Sequence, residues 1–256
     1  VIKSVSLDFD APLTIPSFGD FWRNTWATDN KLYTAWGDGE GFIEGRDFHV
    51  MGTGAISGTY PNLFGTNHFV SEHLYPESEI NEKPGSLLAI DDRLYLTGES
   101  NDHDGTFFIA YSDDQGLTWT KSPGTWDLEG INGLHPNFIN MGKNFEFGGD
   151  YVYTIISNDQ SVNQVYLSRV LKESILDYNK YEFYSGNDTW SASSFDAVRI
   201  LPDNVIEPTE IHLTANYHPG VDRYLMITTQ NVFDAPSPWG PWTCAGTWLT
   251  EESPAA

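Results

Sequence analysis

Apolar and polar residues alternate along most of this chain in short runs separated by clusters of turn-forming residues, a period of two that predicts strands and not helices. Residues 21–27 and 32–36 flank Thr28-Asp29-Asn30-Lys31 and read as a hairpin. Residues 87–90 and 94–97 repeat the arrangement around Asp91-Asp92, and residues 107–112 turn through Asp113-Asp114-Gln115-Gly116 into residues 117–121. Two consecutive hairpins make a four-stranded unit. A third unit begins at residues 151–156, continues through 165–170 and ends at 181–184. A fourth uses residues 211–217, 223–229 and 231–234 and closes on Trp239-Gly240-Pro241-Trp242. Units recurring at about 50 residues have the period of four-stranded propeller blades, which a sandwich does not predict. Helical spacing occurs over residues 170–175 and hardly anywhere else. The expectation is an all-β fold, a β-propeller of four-stranded antiparallel blades forming one domain over residues 1–256.

Composition narrows the partners. Aromatic residues make up 14% of the chain, including 9 Trp, and such flat rings suit sugar faces as well as β cores. The 36 acidic against 13 basic residues give a net charge of -23, which repels nucleic-acid backbones and anionic lipid headgroups. No apolar run approaches the ~20 residues of a membrane helix, so neither nucleic acid nor membrane insertion is expected. No charged-then-apolar leader opens the sequence, and residue 1 reads as a processed or trimmed start. Cys244 is the single cysteine, which excludes an intramolecular disulfide and a thiolate cluster. The seven histidines lack ligand spacing, and Asp102-His103-Asp104-Gly105 is too short for a calcium loop, so no metal and no cofactor is expected. Acidity, few lysines and abundant Gly, Asn, Ser and Thr point to a secreted, periplasmic or cell-surface protein.

Several positions carry candidate chemistry. Ser112-Asp113-Asp114-Gln115-Gly116-Leu117-Thr118-Trp119 fits the Asp-box pattern Ser-x-Asp-x-Gly-x-Thr-Trp, a structural staple of sugar-handling propellers. Asp20 precedes the first strand of the opening hairpin and Asp38 follows its second, so folding the hairpin brings the two carboxylates together. Paired carboxylates are the acid and the nucleophile or base of glycoside hydrolysis; the alternative is that both cap turns beside Gly19 and Gly39. Trp22, two residues from Asp20, is expected on the same strand face, where its ring could floor a sugar subsite. Lys83 precedes the next blade's first strand and belongs at the same end. Glu210 and His212 alternate with apolar neighbours and are expected to line the channel. His135, with Tyr217, His218 and Lys83, could instead serve a polysaccharide lyase.

These pieces together resemble a bacterial family catalogued as domain of unknown function 4185, which includes five-bladed endo-D-arabinanase-like glycoside hydrolases (family 183). Asp20-Phe21-Trp22-Arg23-Asn24-Thr25-Trp26 is similar to its opening Asp-Asn-Trp-x-x-Thr-Trp, with Phe21 in place of Asn. Leu32-Tyr33-Thr34-Ala35-Trp36-Gly37-Asp38-Gly39 is similar to its Tyr-Thr-x-x-Gly-Asp-Gly. The resemblance implies a glycoside hydrolase acting on a furanoside-containing or related polysaccharide or oligosaccharide, with Asp20 and Asp38 catalytic; Trp22, Lys83, His135, Glu210 and His212 are the candidate substrate-binding residues by their own positions. It also implies a fifth blade. Only 14 residues follow Trp242, so residues 1–17 supply part of a closing blade or the chain is a fragment. A glycan-binding or structural propeller is the non-enzymatic alternative.

Overall fold

Strands that are neighbours in sequence are neighbours in each sheet. The computed structural model describes residues 1–5, 13–42, 47–70, 83–99, 107–124, 126, 128–131, 134–157, 164–201, 213–228 and 231–247. The first sheet runs in the order β1 (Phe18–Trp26), β2 (Leu32–Gly41), β3 (His49–Thr59), β4 (Asn62–Val70). The second is β5 (Pro84–Ile90), β6 (Arg93–Glu99), β7 (Phe107–Ser112), β8 (Thr120–Lys121). The third has five strands, β9 (Leu134–Phe138), β10 (Tyr151–Ser157), β11 (Val165–Leu171), β12 (Glu182–Gly186) and β13 (Thr189–Ser191). The fourth is β14 (Thr214–His218), β15 (Arg223–Ile227), β16 (Asn231–Ala235), β17 (Thr243–Thr247). All pairings within these sheets are antiparallel.

The first strand of each sheet packs beside the first strand of the next, β1 on β5, β5 on β9 and β9 on β14. That places four edge strands around a common channel and makes the sheets blades of a propeller. Among the described residues there are four blades and no fifth sheet. The expected helical stretch at residues 170–175 is instead the end of β11 followed by a 3-10 turn, Lys172–Ser174. Val170 and Ile175 are both buried, so the apparent helical spacing arises from a strand and a turn delivering one apolar residue each.

Five strands escaped the pattern, β3, β4, β9, β13 and β17, the first three of them for identifiable reasons. β3 and β4 are rich in glycine and polar residues, and one glycine has a packing role: a Cβ at Gly52 would enter the fully buried Trp36 ring. β9 contains Pro136 and precedes residues 151–156, where the third blade was expected to begin. Trp119 and Trp242 each stand just before the outer strand of a blade, and both are buried. Trp119 donates to Thr53 Oγ1 at 3.3 Å, and Trp242 donates to the Pro238 carbonyl at 3.1 Å. The Ser112–Trp119 turn is held locally: Asp114 accepts from the Thr118 amide at 2.9 Å and from its hydroxyl at 2.6 Å, while Ser112 Oγ accepts from the Gly116 amide at 2.8 Å.

Polar bonds near the channel join the blades. Asn140 accepts from Thr25 Oγ1 at 2.7 Å, donates to the Leu87 carbonyl at 2.9 Å and to the Asn24 carbonyl at 3.4 Å, and its own carbonyl accepts from the Tyr217 amide at 2.8 Å. One residue following β9 thereby ties the inner strands of the other three blades. Replacing Asn140 with Ala strands the Leu87 carbonyl and costs about 2 kcal/mol, read as a lower denaturation midpoint at unchanged m.

The fourth blade has its own buried anchor. Asp234, fully buried on β16, accepts from Arg223 Nε at 2.7 Å and from Thr243 Oγ1 at 3.0 Å. Burial alone would raise its carboxyl, but the bonds from Arg223 and Thr243 outweigh that and hold it below the ordinary 3.8. A depressed native value means stability present above the unfolded value and lost as pH falls through the folded one. The melting-temperature gap between wild type and Asp234→Asn should therefore be widest above about pH 5 and narrow below about pH 4.

Candidate functional site

The opening hairpin brings its ends together at one mouth of the channel. Asp20 pairs with Gly37 across the ladder, and Asp38 follows on β2. Lys83, immediately before β5 of the second blade, reaches both: its Nζ lies 3.5 Å from Asp20 Oδ2 and forms a direct ion pair with Asp38 Oδ2. The carboxylates remain accessible, with side chains 48% and 44% exposed, while the Lys83 side chain is 26% exposed. Burial raises the Asp20 carboxyl above 3.8; the Lys83 charge opposes that rise and the Asp38 charge adds to it.

Local backbone geometry builds this cluster. Asp20 opposes Gly37 and Arg23 opposes Ala35, so β1 carries one extra residue between these pairs, a bulge. Phe21 sits in it at φ 54°, and Asp38 is held at φ 41°, two non-glycine residues in the left-handed region beside the same site. Gly37 leaves the space the cluster fills, since a Cβ there would stand 2.6 Å from Asp20 Oδ1 and 3.0 Å from Lys83 Cδ. The Phe21 ring lies 5.4 Å from Lys83 Nζ, a cation–π contact.

The bulge also corrects one expectation. It turns Trp22 away from the face of Asp20, and the Trp22 ring stacks on Trp36 at 5.4 Å, packs against Phe42 at 5.1 Å and donates to the Gly19 carbonyl at 3.0 Å. Arg23, which sequence reasoning passed over, takes the face Trp22 was expected to hold. Trp22 still reaches the wall of a channel cavity of about 170 Å3 between the four inner strands. His135, on β9, packs edge-on against Phe107 of the second blade at 5.9 Å. Glu210 and His212 lie outside the described residues. No group of three or more His, Cys, Asp or Glu side chains among the described residues could hold a metal ion, and no helix among them is long and apolar enough to cross a membrane.

With this geometry in place, similarity to known proteins is informative. The family model described as Domain of unknown function (DUF4185) matches residues 7–256. Among solved structures, the chain is similar to a GH43 β-xylosidase/α-arabinofuranosidase from a compost microbial metagenome in complex with xylotriose, at 14% identity and a TM-score of 0.57, over 93% of this chain and 79% of that one. It is similar to a GH43_1 enzyme from Xanthomonas citri at 15% identity and a TM-score of 0.55, over 93% and 76% of the respective chains. An exo-β-1,3-galactanase from Phanerochaete chrysosporium with β-1,3-galactotriose matches at 13% identity and a TM-score of 0.53, over 95% of this chain and 52% of that one. At these identities the likeness shows the propeller fold. No curated protein matches the chain.

The electrostatic coupling inside the cluster can be read directly. Carbon-detected NMR titration should find the Asp20 carboxyl above 3.8 in the wild type and higher still in Lys83→Met, because the charge opposing its rise is gone. An unchanged or lower value in the variant would mean that the ammonium does not hold the pair in solution.

Proposed function

The chain belongs to the DUF4185 family, and from that starting point we propose that it is a glycoside hydrolase cleaving a furanoside-containing or related polysaccharide with Asp20 and Asp38. One observation carries the reading: two accessible carboxylates from opposite ends of one hairpin share a single ammonium at the channel mouth. Glycoside hydrolysis needs one carboxyl protonated and its neighbour ionised, and unequal environments separate two such groups. Asp20, raised by burial, suits the acid that protonates the leaving oxygen. Asp38, in direct ion pair with Lys83, suits the nucleophile or the base that activates water. Lys83 keeps the two carboxylates from repelling each other apart and meets hydroxyls of the sugar between them. Trp22 at the cavity wall and His135 on the third blade's inner strand are the proposed further sugar contacts.

The propeller similarity to enzymes solved with xylotriose and galactotriose supports a sugar substrate and leaves its identity open within the class. A lyase would need Lys83 to neutralise a uronate, yet that ammonium already serves two carboxylates. A polysaccharide too large to enter a cell must be met outside it, so we place the work in the periplasm, at the cell surface or in the medium.

The test is incubation with a panel of furanoside-containing polysaccharides, measuring reducing ends and product masses. Wild type should release hydrated oligosaccharides, and Asp20→Asn and Asp38→Asn should each lose about 10^3-fold or more in turnover with unchanged melting temperature. Variants as active as wild type, an ultraviolet-absorbing unsaturated product, or a wild type inert on every substrate would each sink the reading.

A further inference from the structure

Arg23 has no part in the chemistry above, and its setting is unusual. The β1 bulge puts it on the face of Asp20, where the residue is only 9% exposed and its Nε is buried without a hydrogen-bond partner. Three other arginines each meet a carboxylate: Arg93 with Asp113 at 2.6 Å, Arg169 with Glu182 at 2.8 Å and Arg223 with Asp234 at 2.7 Å. Arg23 meets none among the described residues; its guanidinium contacts the Phe21 ring, 5.8 Å from Cζ. Burial pushes its pKa down to about 10, which still leaves it cationic at neutral pH. Taking an unpaired guanidinium out of water costs several kcal/mol, and a protein with a net charge of -23 has no shortage of acids to pair with it.

The cavity beside it supplies the other half of a site. About 170 Å3 in volume, it is lined by Arg23 from the first blade, Ser86 from the second, Asn137 and Asn140 from the third, and Thr214 and Asn216 from the fourth. Asn137 Oδ1 is likewise buried without a partner among the described residues, so a ligand bringing a donor as well as an anionic group would satisfy both. We propose that this channel cavity is a carboxylate-binding site, with the Arg23 guanidinium receiving the anion and the surrounding amides and hydroxyls receiving the rest of the ligand. A planar carboxylate matches the guanidinium fork, and a monoanion is repelled less than sulfate or phosphate by the acidic protein around it. The carboxylate has two possible sources, a free small acid or an acidic sugar of a glycan. The site does not depend on the hydrolase reading.

Thermal unfolding of the full chain tests this, with sodium acetate, glucuronate or glucose added to a bulky sulfonate buffer at matched ionic strength. In buffer alone, Arg23→Met should melt at or above the wild-type temperature, since the variant removes a buried charge that no carboxylate among the described residues pairs. Saturating acetate or glucuronate should raise the wild type by about 3 °C and leave Arg23→Met unmoved, with Arg23→Lys between. Equal response to both acids identifies a free-carboxylate site, and a glucuronate affinity at least about tenfold above acetate identifies an acidic sugar; both uphold the proposal. It is overturned if the acids shift wild type and Arg23→Met equally, if glucose acts as well as glucuronate, or if Arg23→Met is destabilised in every solution. Calorimetric titration of the wild type with both acids needs no variant, and absence of binding heat for both would overturn it as well. Neither readout uses turnover, so failure here and failure of the hydrolase reading remain separate results.

Discussion

Everything at the channel depends on how four inner strands are held at fixed heights relative to one another. Apolar packing between blades is non-directional and tolerates sliding, whereas a buried hydrogen bond lost to a register shift costs the desolvation of its partner. The polar contacts between blades therefore set the register. Asn140 fixes β1 and β5 through Thr25, Asn24 and Leu87, and its carbonyl fixes β14 through Tyr217. Between the second and third blades, Ser86 Oγ accepts from the Phe138 amide at 2.9 Å while Thr97 Oγ1 donates to the Pro136 carbonyl at 2.6 Å. With β1 and β5 locked in this way, Lys83 at the head of β5 arrives level with Asp20 near the head of β1. The catalytic candidates meet because bonds several residues further along the same strands leave them no other height.

Two of the residues held at positive φ lie where the chemistry is proposed. Phe21 and Asp38 both adopt positive φ, and such conformations in residues other than glycine persist only where surrounding contacts overdetermine them. Here those contacts are the Asp20–Gly37 pairing, the absence of a side chain at Gly37 and the shared ammonium. The bulge serves two ends with one extra residue. It aims Arg23 along the same face as Asp20, and it sends Trp22 to the opposite face, where stacking on Trp36 stiffens the strand that carries both.

Much of this was legible in the sequence, for a physical reason that also explains what was not. Alternating strands with polar turns reveal themselves, and the hairpins at residues 21–36, 87–97 and 107–121 are legible from period two and the turn residues between the runs. β3 was hidden because Gly52, against the Trp36 ring, takes a position that a pattern reading expects an apolar side chain to fill. Proline hid β9. The convergence of Asp20, Asp38 and Lys83 followed from hairpin closure and strand position, which need no knowledge of side-chain direction. Trp22 failed because face assignment counts residues two by two, and one bulged residue inverts every assignment beyond it until the next irregularity. Arg23 was missed with it, since counting two by two puts it on the opposite face from Asp20.

The two cations near the channel mouth are handled in opposite ways, and the contrast separates their roles. Lys83 lies between two acids and is partly exposed, so the carboxylates neutralise it in place. Arg23 is buried, with the Phe21 ring near both its guanidinium and the Lys83 ammonium. An aromatic face attracts a cation but does not neutralise it, so Phe21 can contact both positive groups without bringing a carboxylate to the inner one. A carboxylate at position 21 would pair with either cation and cancel the field in the cavity below. The proposed division of labour thus rests on an aromatic residue at a strained position, with glycan chemistry at the exposed mouth and anion recognition in the channel beneath it.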